Sequence, residues 1–400
     1  MSIPSQNLNA IDRLARQVVL AKLQQIEHGH IIWLDGSEQH FGDVGSELAV
    51  RVQVHHPVFY RQFAWRGSIG AAESFIDGQW SCDHLLGLMK IIAQSSAVMS
   101  QLEAGLSACG HMWRTIGHCL RPSGIQRAKR NIKYHYDLSN DFFHQFLDQQ
   151  MVYSSAIFEN SQQSLEQAQL FKLQKICQQL KLSKDDHLLE IGTGWGALAI
   201  YTAQHFNCQV TTTTISDAQF QYVQQKVHQL GLTDRICLIK QDYRQLTGQF
   251  DKLVSIEMIE SIGYRQFNGY FKVCDQLLKP GGLCLIQSIV IQDQTYDRYK
   301  REVDFIKAYI FPGGCLPGIN TITHAVKRFT SMRLIQMYDF GHDYAQTLTH
   351  WRDQMIKNQQ KIKSIGFSEK VIRQFLFYFD YCRAGFLCNK ISVGQFLFKK

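Results

Sequence analysis

The chain has 400 residues, enough for two domains or for one large domain with a cap. Its hydrophobic share of 45% and aromatic share of 12% allow a sizeable core and an additional apolar tunnel. The net charge of +8 is spread along the chain and favours an anionic surface, either a bilayer or a nucleic acid.

Cysteine usage and the N-terminal residues exclude several classes of protein. The eleven cysteines are an odd number without C-x-x-C pairs or Cys/His ligand spacing, which argues against a disulfide framework or a zinc site. A reducing cytosol suits such a chain. Residues 1–9 are polar, and no run approaches the roughly 18 apolar residues of a membrane span. We therefore expect a cytoplasmic protein with at most peripheral membrane contact.

Residues 1–105 predict a small α+β unit. The patterns indicate a helix over 8–27, strands over 31–34 and 50–54, and a helix over 85–92 capped by Ser81 or Asp83. We interpret the aromatic side chains of residues 57–80 as core. The unit shows no obvious chemistry.

A basic stretch at 106–133 predicts a linker. It could lie on anionic lipid head groups, where each cation contributes about 1 kcal/mol, or it could be a solvated charged face. The segments 134–143 and 151–156 that follow are dense in Tyr, His, Asp and Ser. They could form a lid over a ligand pocket, or they could cap helices and bond to one another.

A glycine turn at residues 188–196, Leu-Leu-Glu-Ile-Gly-Thr-Gly-Trp-Gly, predicts a strand, a tight turn and a helix that begins near Ala197. The spacing differs from the G-x-G-x-x-G of dinucleotide sites, and residues 197–216 contain no acid for a ribose. Glu190 at the strand end instead suits a ligand with a cationic amino group. We interpret the turn as a site for S-adenosylmethionine (SAM).

The α/β rhythm continues after the turn. Strands are predicted over 208–215, 235–239, 253–256 and 283–290, with helices between them, which is typical of a doubly wound parallel sheet. Ligands bind at the carboxyl ends of such strands. Glu190, Thr214, Asp242 and Glu260 fall at or just beyond these ends, so we expect them to meet in one cleft.

The last third of the chain departs from this rhythm. Residues 309–317 form an apolar turn, and the final helices carry many aromatic side chains between 375 and 386. These could be ordinary core. They could also line a slot for an acyl chain, with ring faces toward a cationic intermediate.

From about Asn131 to its end, the chain resembles the cyclopropane-fatty-acid synthase family, which includes the mycolic acid cyclopropane synthases. The resemblance rests on seven blocks in the same order: 134–143, 153–156, 190–196, 257–263, 309–317, 340–344 and 382–386. It implies a class I SAM-methyltransferase fold, a Rossmann-like doubly wound sheet with a helical and aromatic cap over residues 134–400. The N-terminal unit resembles the extra domain that phospholipid-modifying members use for dimerisation and membrane contact.

The resemblance also implies a reaction. The methyl of SAM is added to a cis double bond in a phospholipid acyl chain, and the resulting carbocation loses a proton. In the family a bicarbonate ion, held by a Glu, a Tyr, a Cys and a His, takes that proton. Glu260 and Tyr344 match the Glu and the Tyr, whereas Ser155 and Gln287 stand at the Cys and His positions. Cys382 matches a late cysteine, although this chemistry needs no nucleophile.

The cofactor contacts carry over in the same way. Tyr153 and Ser154 match contacts to the methionine end of SAM, together with Gly192, Gly194 and Trp195. Thr214 and Gln219 are expected at the ribose, and Asp242 at the adenine amine. No metal is expected. The implied partners are a bilayer with unsaturated acyl chains, at the inner face of the membrane, and a second copy of the chain.

Alternatives remain open at this level. Gln287 cannot titrate as a histidine does. In this position the chain resembles plant-type members and relatives that build methyl-branched or furan fatty acid precursors, which have the same glutamine. A branched product is therefore an alternative to the ring. A methyltransferase for RNA lacks support, because the chain has no RNA-binding module. A small-molecule substrate would leave the aromatic C-terminal third and the N-terminal unit unexplained. A protein that binds SAM or lipid without catalysis is a third possibility.

Overall fold

The computed structural model describes residues 9–95 and 139–400. The predicted linker over 106–133 and residues 134–138 of the first motif lie outside this range. In chain order the helices are α1 (Ala10–Leu23), α2 (Val58–Ile76), α3 (Leu85–Gln94), α4 (Asn140–Phe143), α5 (Leu165–Gln179), α6 (Ala197–Phe206), α7 (Asp217–Gln229), α8 (Phe267–Leu277), α9 (Asp293–Tyr299), α10 (Ile319–Phe329), α11 (Gly341–Lys357), α12 (Gln359–Ser364) and α13 (Glu369–Leu387).

The strands number eleven within the described ranges. They are β1 (His30–Leu34), β2 (Glu38–Gly42), β3 (Ala49–Val54), β4 (Trp80–Cys82), β5 (His187–Ile191), β6 (Gln209–Thr214), β7 (Ile236–Lys240), β8 (Phe250–Ile256), β9 (Leu278–Ile291), β10 (Arg333–Asp339) and β11 (Ile391–Lys399). Short 3₁₀ turns occupy Tyr243–Gln245, Ile259–Ser261 and Tyr264–Gln266, and a π-helical turn occupies Ile306–Ile310.

The chain forms two compact units, each described here by itself. Unit 1 takes the described part of residues 1–121 together with 301–310 and 355–390, and unit 2 takes the described part of 122–300 together with 311–354 and 391–400. The boundary predicted near residue 134 assigned 301–310 and 355–390 to the catalytic domain. In the structure these segments belong with the N-terminal unit.

Unit 1 has a four-stranded sheet in the order β2-β1-β3-β4, in which β1 and β3 are parallel and the other pairs antiparallel. The predicted strands and helices are present with small shifts of their ends. The predicted cap of α3 is wrong, since α3 follows His84 without a side-chain cap. Asp83 instead accepts the backbone N–H of Arg51 at 2.9 Å and so joins the end of the sheet.

The aromatic C-terminal helix α13 supplies core to unit 1. It packs against α2 and α3, and the rings of Phe75 and Phe377 lie 5.5 Å apart. The guanidinium of Arg373 donates to the carbonyl oxygen of Phe75 at 2.8 Å and lies 4.4 Å from the centre of its ring. Most of the α13 aromatics are buried in this way. Of the two interpretations of this helix, the structure supports ordinary core.

Unit 2 contains the seven-stranded sheet β10-β11-β9-β8-β5-β6-β7. Strands β5 to β9 are parallel, as the α/β rhythm predicts, and β11 and β10 add an antiparallel edge. Leu188 and Leu189 belong to hydrophobic clusters on opposite faces of the sheet, because successive side chains of a strand alternate. Helices cover both faces, so β5 is buried from Leu188 to Ile191.

No helix within residues 9–95 and 139–400 combines the length and the apolar character needed to cross a bilayer. The nine cysteines in these ranges are free thiols.

Candidate active site

The glycine turn between β5 and α6 has the backbone that a close ligand requires. Gly192, Gly194 and Gly196 all have positive φ, at 98°, 53° and 87°, which other residues rarely adopt. The N–H groups of Gly192 and Thr193 donate to the carbonyl of Thr213 and hold the turn against β6. A Cβ added to Gly194 would meet no atom of the described residues within 4 Å. The turn therefore presents bare backbone to open space at the start of α6.

Two of the predicted ribose contacts lie together at the end of β6. Thr214 Oγ1 donates to Gln219 Oε1 at 2.9 Å, and both residues are buried. Ser216 caps α7 through the N–H of Gln219 and fixes this arrangement. A polar hydroxyl and amide thus meet where the parallel strands end, in the place expected for the ribose of SAM.

Asp242, the predicted adenine contact, lies just beyond β7 and is 4% exposed. Its Oδ1 accepts the Arg244 Nε–H at 2.8 Å, and its Oδ2 lies 2.7 Å from Arg244 Nη2. A carboxylate oxygen can accept more than one hydrogen bond, so the ion pair with Arg244 does not by itself exclude an adenine amine.

Glu190 is buried in the middle of the sheet. Its Oε2 accepts the Thr212 hydroxyl at 2.5 Å. Burial raises the pKa of Glu190 to about 8, against which the Thr212 hydrogen bond acts. A cationic ammonium group beside this carboxyl would favour its charged form. That the ammonium group of SAM lies there stays a prediction from the sequence.

The segment after α4 is anchored to α11 and α5. The N–H groups of Ala156 and Phe158 donate to the side chains of Thr347 and Asp343, at 3.0 and 3.1 Å. The carbonyl of Ser154 accepts the Gln169 amide at 2.9 Å. These bonds hold the segment 153–155 between the glycine turn and the end of β8.

Aromatic rings surround the first of these residues. The Tyr153 ring stacks on Trp351 at 5.2 Å and meets Phe143 edge to face at 5.4 Å. Phe143 lies 4.9 Å from Trp195, whose Nε1 donates to Asn140 at 2.9 Å. The sequence suggested aromatic faces in the C-terminal helices, whereas unit 2 builds them from α4, the glycine turn and α11.

Three donors converge on one carboxylate, that of Glu257. Glu257 Oε1 accepts the Ser155 N–H at 2.9 Å and the Gln287 Nε2–H at 2.8 Å, and Oε2 accepts the Tyr344 hydroxyl at 2.8 Å. Ser155, Gln287 and Tyr344 are three of the four residues that the resemblance assigns to an anion. The structure brings them together around Glu257, which the sequence analysis did not single out.

A row of buried amides orients Gln287. Gln287 Oε1 accepts the Gln395 Nε2–H at 3.1 Å, and Gln395 Oε1 accepts the Gln179 Nε2–H at 2.9 Å. Gln287 and Gln395 are 0% and 1% exposed. Because the Glu257 carboxylate only accepts hydrogen bonds, the Gln287 nitrogen must face it, and this fixes the orientation of the other two amides.

Lys172 on α5 is a further charged group that the sequence did not reveal. It is 0% exposed, and its Nζ donates to Ser154 Oγ at 2.7 Å. Burial lowers its pKa to about 8, and the charge of Glu257 opposes this. Lys172 in turn stabilises the charged form of Glu257, whose pKa burial raises.

Glu260, the predicted catalytic acid, lies one turn further along in the 3₁₀ segment Ile259–Ser261. Its Oε1 accepts the Ile289 N–H, whereas Oε2 is buried and has no hydrogen-bond partner among the described residues. Burial and the neighbouring charge of Glu257 raise its pKa to about 8. Of the two acids, Glu257 has the donors of an anion site, and Glu260 has the surroundings of a neutral carboxyl.

Cys382, also predicted as a site residue, lies on α13 in unit 1. Burial raises its pKa well above the usual range, and the charge of Asp304 adds to this. The thiolate is therefore disfavoured. The hydrogen-bonded cluster around Glu257 is formed by unit 2 residues.

The glycine turn, the paired polar groups at the strand ends and the buried anion site define a class I methyltransferase fold with a SAM site. Residues 124–396 match the family of mycolic acid cyclopropane synthetases. Over 358 residues the chain is 34% identical to the cyclopropane-fatty-acyl-phospholipid synthase of Escherichia coli (strain K12), covering 87% of each protein.

Two further similarities point the same way. The chain is 33% identical to the tuberculostearic acid methyltransferase UfaA1 of Mycobacterium tuberculosis, covering 86% of this chain and 81% of that protein. It superposes on the mycolic acid cyclopropane synthase CmaA1 complexed with SAH and CTAB, with a TM-score of 0.64 and 28% identity, over 68% of this chain and 98% of that one. The chain belongs to the mycolic acid cyclopropane synthetase family and is a SAM-dependent methyltransferase.

Proposed function

We propose that this enzyme transfers the methyl of SAM to a cis double bond in phospholipid acyl chains and closes a cyclopropane ring. The observation that carries the proposal is the continuity of the segment 153–155, which links aromatic rings beside the glycine turn to the anion site at the end of β8. The relatives named as cyclopropane-fatty-acyl-phospholipid synthase and mycolic acid cyclopropane synthase support the same reaction class.

Bound SAM supplies an electrophilic methyl group. An alkene is a weak nucleophile, so the chain must align it with that methyl and exclude water. Gly194 leaves space for the cofactor against the backbone, and a Cβ at Gly192 would lie 3.2 Å from the side chain of Met258. Met258, which follows Glu257 in the chain, therefore packs on the glycine turn itself. This contact keeps the methyl donor and the proton acceptor close.

Methyl addition leaves a positive charge on the acyl chain. The ring of Tyr153, which is partly exposed and is backed by the buried rings of Trp351 and Phe143, can stabilise such a charge in a dry site. A C–H bond of the added methyl then breaks, its electron pair forms the third bond of the ring, and the proton passes to an anionic base among Ser155, Gln287 and Tyr344.

We also propose that the protein acts at a membrane surface and as a homodimer. The net charge of +8 favours anionic lipid. In unit 1, Ile11 and Leu14 lie three residues apart on α1 and are 59% and 63% exposed, so α1 presents apolar side chains to its surroundings. The phospholipid substrate and the peripheral location rest on these features and on the names of the relatives.

Expression in a bacterium without its own synthase tests the proposal. Fatty-acid methyl esters are analysed by mass spectrometry, with derivatisation of the remaining double bonds. We expect unsaturated chains to gain one CH₂ and to lose their double bond. A gain of CH₂ with a methyl or methylene branch would mean that the enzyme methylates the acyl double bond but forms a branched product and not a ring. Unchanged acyl masses, with SAM bound by the purified protein, would reject acyl chains as the substrate.

A further inference from the structure

The anion site is already filled by the chain itself. The family resemblance implies a bicarbonate ion among Ser155, Gln287 and Tyr344, yet all three donate to the Glu257 carboxylate. A carboxylate and a bicarbonate share a planar O–C–O group, so one can take the place of the other. Bicarbonate does not fit here, because its donors are occupied and a second anion would lie against the first.

We propose that the Glu257 carboxylate is the base that takes the proton from the cationic acyl chain, in place of a bound bicarbonate ion. This inference rests on the proposed function. The C–H bond breaks, its electrons close the ring, and the proton is carried by a Glu257 oxygen. No co-reactant enters the site from solution.

The backbone at Glu257 supports this role. Its φ is 49°, in the left-handed region that a residue with a side chain rarely adopts. Its N–H donates to the carbonyl of Gln287 at 2.8 Å, which fixes the conformation at the end of β8. Strained residues of this kind persist where the surrounding structure imposes them, and they cluster at functional sites. Here the strain directs the carboxylate into the group of donors.

The charges around Glu257 suit a base. Facing it are the cation Lys172 on α5, the hydroxyl of Tyr344 on α11, the amide of Gln287 on β9 and the neighbouring acid Glu260. Lys172 and the donors favour the carboxylate form. One oxygen of Glu260 is buried without a hydrogen-bond partner among the described residues. Of the two acids, Glu260 is therefore the one that stays protonated, which makes it the weaker candidate for the base.

The test compares wild-type enzyme with Glu257→Gly and Glu257→Gln, using SAM and vesicles of cis-unsaturated phospholipid, in buffer purged of CO₂ and in buffer with added bicarbonate or formate. Wild-type turnover should be the same in all buffers. Glu257→Gly should lose turnover by about 100-fold or more, as expected for the loss of a general base, and regain part of it with either anion. Glu257→Gln fills the site with an amide, so it should lose turnover without recovery.

A binding measurement gives a second readout. Equilibrium dialysis with isotopically labelled bicarbonate should show about one bound ion per chain for Glu257→Gly and none for wild type. Lys181→Gly is the matched control, since Lys181 also has positive φ (50°) but is exposed. It should behave as wild type in both assays.

Three results overturn the inference: wild-type turnover that falls when CO₂ is removed, wild-type binding of labelled bicarbonate, or full turnover by Glu257→Gly in purged buffer. The wild-type measurements decide the question even if Glu257→Gly does not fold. Failure of the proposed function looks different, because wild type then adds nothing to the acyl chains in any buffer.

Discussion

Replacing Gln287 with leucine breaks the row of buried amides at its centre. The change keeps the side-chain volume similar but removes the donor to Glu257 Oε1 and the acceptor for Gln395 Nε2. A hydrogen bond to a charged group contributes about 1.5–3 kcal/mol, and a buried donor left without a partner costs about 1–3 kcal/mol. Because leucine gains some apolar burial, we expect the free energy of unfolding to fall by about 2–4 kcal/mol.

Urea unfolding followed by circular dichroism measures this loss. Gln162→Leu is the control, since Gln162 is exposed, and it should change stability by less than about 0.5 kcal/mol. The double variant Gln287→Leu/Gln395→Leu removes both partners of one bond, so it should cost about 1–2 kcal/mol less than the sum of the single variants. A Gln287→Leu loss no larger than that of the control, or strict additivity, would refute the amide row.

Three further predictions concern the cofactor turn, the buried acids and the tyrosine donor. Gly194→Ala should weaken SAM binding about tenfold or more in calorimetry, because its Cβ enters the open space over the turn. Gly231→Ala, at a similar positive φ and equally open, should leave SAM affinity unchanged. Equal losses of SAM affinity in the two variants would contradict this. Burial raises the pKa of Glu190 and Glu260 to about 8. The folded protein therefore keeps protons that the unfolded chain releases from about pH 4.5. The free energy of unfolding should fall as pH rises from about 4.5 to 8 and then level off. Glu260→Gln should make this fall shallower in thermal melts, and an unchanged slope would show that Glu260 is not protonated in the fold. Tyr344→Phe removes the donor to Glu257 Oε2 and should lower kcat about tenfold with SAM affinity near wild type; a matching loss of SAM binding would place Tyr344 in the cofactor site instead.

Much of the architecture could be predicted because it depends on local patterns. The apolar run of β5, the glycine spacing and the return of a strand after each helix predict the parallel sheet, and ends of the predicted strands agree with the structure to within a few residues. The convergence of Thr214, Gln219 and the glycine turn follows from the rule that ligands bind at strand carboxyl ends. Local patterns could not show that α13 joins the N-terminal unit, since that contact joins residues about 300 positions apart (Phe75 and Phe377).

The site was predicted less fully than the fold. Ser155, Gln287 and Tyr344 do meet, but on Glu257, whose backbone is in the left-handed region, and not around Glu260. The family resemblance assigned the glutamate role to Glu260, and no local pattern in the sequence shows that Glu257, three residues earlier, receives the donors instead. Lys172 lies on a helix whose pattern is otherwise amphipathic, and no sequence pattern shows that its ammonium group is buried and donates to the Ser154 hydroxyl. Gln395 is the partner of Gln287 only because β11 pairs with β9.

The reaction proposed for this enzyme is the transfer of a methyl group from SAM onto an acyl double bond. Purified enzyme, SAM labelled with deuterium in its methyl group and vesicles of cis-unsaturated phospholipid test it directly by mass spectrometry of the released acyl chains. We predict that the chains acquire a ring methylene that keeps all the deuterons of the methyl except the one lost as the proton. Acyl chains without deuterium, while SAM is consumed or bound, would contradict the claim.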